Sequence, residues 1–184
     1  MPAATHLHLA CHAAFDLDEP LDSALYLSGG DRLTLRDLLD GTVDLSGQWI
    51  AVLSACQTGI TEFNRVPDEV VGLPAGFLQA GVPGVVATLW PVNDLSTAVL
   101  VAEFYRSLLG EQHDPAAAID SARRFLRDAT ARELADWFES RYADSGGTDL
   151  PAYEAAADLR AHPDLADRPY ADPLYWAGFV YSGP

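Results

Sequence analysis

The stretch from Trp49 to Gly59, Trp-Ile-Ala-Val-Leu-Ser-Ala-Cys-Gln-Thr-Gly, constrains the fold more than any other part of the chain. Ile50 to Leu53 is a continuous apolar run, too short for a helix and followed by small and polar residues. Such a run fits a strand buried on both faces of a parallel sheet. Ligands of open α/β sheets bind just beyond the carboxyl ends of the strands, and Cys56 stands at such an end. Two readings of Cys56 stay open on position alone. It is a small buried hydrophobe, as many unreactive cysteines are, or a reactive thiol at the mouth of the sheet.

A second run, His6-Leu7-His8-Leu9-Ala10-Cys11-His12, also reads as a strand closing on a polar residue. If it neighbours the Cys56 strand in parallel, His12 and Cys56 leave the sheet at the same end. A thiol with a free pKa of about 8.5 gains thiolate from a nearby imidazole, which makes the two a candidate dyad. The same run admits a metal reading. His6, His8 and His12 fall on one face of a strand, and imidazoles at such spacing hold zinc. No nearby acidic ligand completes that set, and the first two histidines lie at the wrong end of the strand, so neither a metal nor a cofactor is expected. Cys11 points away from His12, toward the core.

Gly84 to Trp90 is a third buried strand, ended by Pro91. Ala24 to Leu27 reads as a short strand closed by a turn at Ser28 to Asp31, and Tyr175 to Tyr181 as a final aromatic strand. Thr34 and Asp37 stand at capping distance ahead of a short helix that ends near Gly41. Val70, Val71, Leu73, Phe77 and Leu78 form an apolar stripe stopped by Gly81. Pro74 either sits in the first turn of a helix starting near Leu73 or kinks a longer one. Asp94 or Ser96 caps the next helix, which carries Val99, Leu100, Phe104, Leu108 and Leu109. Pro115 opens another, Thr130 and Glu133 form a capping box for a third, and Ala152 to Leu159 is a short fourth. Strands alternating with helices over 184 residues imply one layered α/β domain.

Charge and cysteine count narrow the partners. The chain has 27 acidic against 11 basic residues, a formal net charge of -16. Nucleic acid and anionic membranes require a basic footprint and are excluded as partners. Two cysteines make no disulfide framework, which points to a reducing compartment. Nothing near Met1 resembles a signal peptide, and no apolar stretch approaches the roughly 18 to 20 residues of a membrane span. A cytoplasmic protein is expected.

These motifs together resemble the CHAT domain, a caspase-like cysteine peptidase module related to separase. The family's histidine strand is similar to Leu7 to Ala13, and its Leu-Ser-Ala-Cys-x-Thr-Gly motif to Leu53 to Gly59. Its Asp-Glu-Val-x-Gly-Leu helix start resembles Asp68 to Leu73, followed by Phe77-Leu78-x-Ala80-Gly81. Val86 to Asp94, with Leu89-Trp90-Pro91-Val92-x-Asp94, is the most specific part of the match. Phe104-Tyr105, Ala117 to Arg127 and Tyr175 to Phe179 extend it over nearly the whole chain.

The resemblance implies a caspase-like three-layer α/β/α sandwich with a mostly parallel central sheet, and endopeptidase chemistry on a protein or peptide substrate. Cys56 is the implied nucleophile, and His12 the partner that protonates the leaving amine. The amides of Cys56 and Ala13 are the implied oxyanion hole; the family usually has glycine where Ala13 stands. Asp94 is the implied floor of a pocket for basic side chains, with helix capping as its other reading. Gln57, Thr58, Trp90 and Asp68 border the same site.

Caspase-like domains place two strands and a helix before the histidine strand, whereas here Met1 nearly abuts it. The expectation is an N-terminally truncated CHAT domain, residues 1–184 carrying the catalytic motifs, with the His12 strand at a sheet edge. A second copy or a partner chain covers such an edge. The alternative function is a catalytically inactive CHAT-fold module for protein interaction.

Overall fold

The computed structural model describes residues 5–16, 18–54, 72–111 and 113–184. The two most continuous apolar runs become its central strands. Every residue of β5 (Ile50–Leu53) and of β6 (Gly84–Thr88) is buried. They lie side by side in a four-stranded sheet of order β1-β5-β6-β7, with β1 at His6–Leu9 and β7 at Phe179–Ser182. The first three strands run parallel and β7 returns antiparallel to β6. The chain is therefore mixed α/β with a mostly parallel principal sheet, and among the described residues β1 stands at that sheet's edge.

The expected single strand through His12 is corrected by the structure. The ladder with β5 ends at Leu9, and after Ala10 and Cys11 the chain joins a second sheet as β2 (His12–Ala14). The cause is a hairpin that sequence reading saw only in half. β3 (Ala24–Tyr26) and β4 (Arg32–Thr34) pair antiparallel around Gly29 and Gly30, whose φ of 89° and 90° suits residues without a Cβ. β3 offers its free edge to β2, giving the order β2-β3-β4.

One core joins the two sheets. Ala13 and Leu25 from the small sheet pack with Ala51, Leu53, Val85 and Ala87 from the large one. Leu7, Leu9 and Cys11 lie against the same cluster, and burial pushes the Cys11 thiol pKa up, away from reactivity. Two short helices close this core. α1 (Leu35–Leu39) opens on the expected capping box, in which Thr34 Oγ1 accepts from Asp37 N at 3.1 Å while Asp37 accepts from Thr34 N at 2.9 Å. α2 (Leu73–Gln79) starts after Gly72 with Pro74 in its first turn, so the proline begins the helix and does not kink it.

The chain divides into two compact units, Met1–Val92 with Gly178–Pro184, and Asn93–Ala177. The second is helical: α3 (Asp94–Tyr105), α4 (Pro115–Asp128), α5 (Ala131–Asp144) and α6 (Leu150–Arg160). α3 packs on α4, and α5 on α6. Neither Asp94 nor Ser96 caps α3. Asn93 does, accepting from Ser96 N at 3.0 Å, because a cap must stand before the first helical residue and Asp94 already is that residue. α3 continues into a π-helical turn, Arg106–Gly110, that the apolar period did not announce. At this junction the buried Glu103 carboxylate accepts from Arg106 Nε at 2.6 Å and from Trp137 Nε1 at 2.9 Å. Among the described residues no helix is long and apolar enough to cross a membrane.

Candidate active site

The parallel pairing of β1 with β5 sets the geometry. The ladder runs His6↔Ile50, Leu7↔Ala51, His8↔Val52 and Leu9↔Leu53. His12 stands three residues beyond Leu9, and Cys56 three residues beyond Leu53. Cys56, Gln57, Thr58 and Asp68 lie outside the described residues. His12 is exposed at the start of β2, directly opposite Tyr26, which is also exposed, so that face of the small sheet opens to solvent. Ala13 is buried opposite Leu25. It sits in extended backbone that any residue adopts, so alanine meets no left-handed requirement where the family has glycine.

Beside Ala13 a narrow crevice opens at the carboxyl ends of the strands, lined by Leu53, Leu73, Pro74, Ala87 and Thr88. Its volume is about 20 Å³, room for a single water. Trp90, past the end of β6, is half-buried with its indole laid against Gly178, where an added Cβ would come within 2.7 Å of the ring. Leu89 N donates to Gly178 O at 2.8 Å and fixes that approach. Asp94 belongs to the second unit. It is exposed in the first turn of α3, where an acidic side chain is favoured by the helix dipole.

A family model for the CHAT domain matches residues 1–184, both units included. The chain belongs to the CHAT domain family. That places it among the caspase-like peptidases at the level of family. No curated protein matches it.

The three N-terminal histidines of this CHAT domain take three separate roles. His6 is held at the start of β1 by Thr5 Oγ1 at 2.8 Å from Nδ1 and by the Trp49 ring, edge-on at 5.2 Å between centroids. His8 Nε2 lies 2.8 Å from Ser54 Oγ, the residue that follows β5. His12 is in the other sheet. The shared strand face that a zinc reading requires is thus broken between His8 and His12. Among the described residues no three His, Cys, Asp or Glu side chains converge to hold a metal ion.

Sequence reasoning placed His8 only in that zinc set and passed over Ser54. The signal was present in parity. Ser54 follows Val52 by two residues, and Val52 pairs with His8, so Ser54 and His8 fall on one face once the register is known.

Proposed function

We propose that this CHAT domain is a cysteine endopeptidase in which His12 and Cys56 form the dyad. The observation that carries the reading is the Leu9↔Leu53 register. Two adjacent parallel strands end together, and each is followed at the same sequence distance by one member of the pair. The Cys56 thiolate attacks the scissile carbonyl carbon, forming a C–S bond. Protonated His12 then delivers its proton to the amine nitrogen as the C–N bond breaks. Water, deprotonated by the now neutral imidazole, hydrolyses the thioester and returns the free thiol. The amides of Ala13 and Cys56 receive the oxyanion, and one such donor is worth about 3 kcal/mol in the transition state.

Basic side chains are the proposed primary specificity. Asp94 supplies the carboxylate for a charge-assisted pair with a substrate Arg or Lys, and Gln57, Thr58, Asp68 and Trp90 border the cleft. The net charge of -16 favours approach of such basic segments.

The test is covalent labelling of native protein with an Arg-directed acyloxymethyl ketone peptide, read by intact mass. One adduct on wild type, lost in Cys56→Ala and His12→Ala and weakened in Asp94→Ala, is the expected result. Folded wild type that takes no label, with or without a basic residue in the probe, identifies the alternative, a CHAT-fold interaction module without catalysis.

A further inference from the structure

After Leu9 and Leu53 the main-chain ladder between β1 and β5 stops. The segment after Leu9 departs for the small sheet, and Ser54 is the first residue past β5. The His8–Ser54 hydrogen bond at 2.8 Å ties a ladder residue of β1 to the first residue past β5, across 46 residues of sequence. Both groups belong to the strand face opposite the Leu7, Leu9, Ala51 and Leu53 core face. The link is therefore not a by-product of core packing.

We infer that His8 and Ser54 are positioning residues, a side-chain clamp that anchors the point where the chain leaves β5, two residues before Cys56, to the neighbouring strand β1. This rests on the dyad reading above and adds two residues to it. The chemistry suits a clamp. Burial lowers the His8 pKa, so near neutral pH the ring is uncharged and meets the serine hydroxyl as a neutral hydrogen-bond partner. Ser54 adds a short, stiff arm with a single rotatable bond to its oxygen. Nucleophile–base pairs tolerate little misplacement, and a shift of about 1 Å costs about 100-fold in rate. Without the bond, the main-chain ladder to Leu53 is left as the link between β1 and the start of that segment.

The test is the second-order rate of Cys56 alkylation by iodoacetamide, measured on folded protein by intact mass with the Cys11→Ser change throughout. The variants are His8→Ala, His8→Gln, Ser54→Ala, Ser54→Thr and His12→Ala, each with its urea midpoint. Glutamine places an amide near the Nε2 position and threonine keeps the hydroxyl, so both preserve the bond. The expected result is a rate loss of about 10- to 100-fold in His8→Ala and Ser54→Ala. Recovery toward wild type is expected in His8→Gln and Ser54→Thr. The recovery is the readout that a merely structural role does not give, and Ser54→Ala is small enough to test the clamp if His8→Ala fails to fold. If His12→Ala slows alkylation while the His8 and Ser54 variants react like wild type, the clamp is overturned and the dyad stands. If His12→Ala also reacts like wild type, the dyad reading itself fails and the clamp falls with it.

Discussion

Gly76→Ala sets a helix-propensity gain against a steric loss, and the structure decides which wins. Gly76 lies inside α2 where that helix crosses α1. Removing a mid-helix glycine favours the helix by about 0.8–1.0 kcal/mol. A Cβ at this position would stand 2.6 Å from Leu35 Cδ1, 3.1 Å from Leu38 Cδ1 and 3.2 Å from Leu38 Cβ. Leu35 and Leu38 are 0% and 1% exposed, so neither methyl has solvent to move into, and Leu38 Cβ is fixed to its backbone. Overpacking of this kind costs about 1–3 kcal/mol, and the crowding on two side chains selects the upper half of that range. The net is a destabilisation of about 1–2 kcal/mol. With a urea slope of about 2 kcal/mol/M, the midpoint falls by roughly 0.5–1 M. Urea unfolding followed by far-UV circular dichroism measures it. Gly110→Ala is the control, since nothing lies within 4 Å of its added Cβ, and its midpoint stays level or rises. Leu35→Ala in the Gly76→Ala background should cost less than Leu35→Ala alone, because the smaller residue relieves the clash. An unchanged or higher midpoint for Gly76→Ala, or strict additivity in the pair, refutes the close approach of α1 and α2.

Gly178→Ala pushes a methyl into the Trp90 indole, at 2.7 Å from Cε2, and should destabilise by about 1–3 kcal/mol. The same change in a Trp90→Ala background loses most of that penalty in urea titrations. Trp137→Phe removes the indole donor to Glu103, whose side chain is 8% exposed, and leaves a buried carboxylate oxygen short of a partner. It should cost about 1–3 kcal/mol, read as a lowered melting midpoint, with Glu103→Gln relieving part of the loss in the double variant. Asp37 is held below its ordinary carboxylate range by the Thr34 hydroxyl, then by the Thr34 N–H. A depressed native pKa stabilises the fold above the unfolded value of about 3.9, and that contribution disappears as pH falls through the native one. Asp37→Asn should therefore be less stable than wild type near neutral pH, with the gap closing in acid. A gap that widens below pH 4 sinks this reasoning.

Much of the frame was legible because it is local. Ile50 to Leu53 and Gly84 to Thr88 are apolar at nearly every position, a pattern only a doubly buried strand requires. Thr34 with Asp37, and Thr130 with Glu133, announced helix starts that form as capping boxes. What escaped was non-local. The break after Leu9 depends on a hairpin edge at Ala24 to Tyr26, and Arg32 to Thr34 is too short to show alternation. The site divides in the same way. His12 and Cys56 stand out by residue type at strand ends, whereas the His8–Ser54 contact needs the β1–β5 register, which no single stretch contains. Asp94 was ambiguous because three neighbouring residues can cap a helix, and only backbone geometry selects Asn93.

Ala10 and Cys11 carry the chain from one sheet to the other, and their number works as a ruler for the imidazole. Strand residues advance by about 3.4 Å and alternate sides. With β1 and the β3 edge both held in place, one residue inserted between Leu9 and His12 moves the ring to the buried side of the small sheet. Two inserted residues restore the side and leave it displaced by about 7 Å. The spacer length is therefore digital, and changing it by a single residue switches the side on which the imidazole stands while leaving β5 untouched.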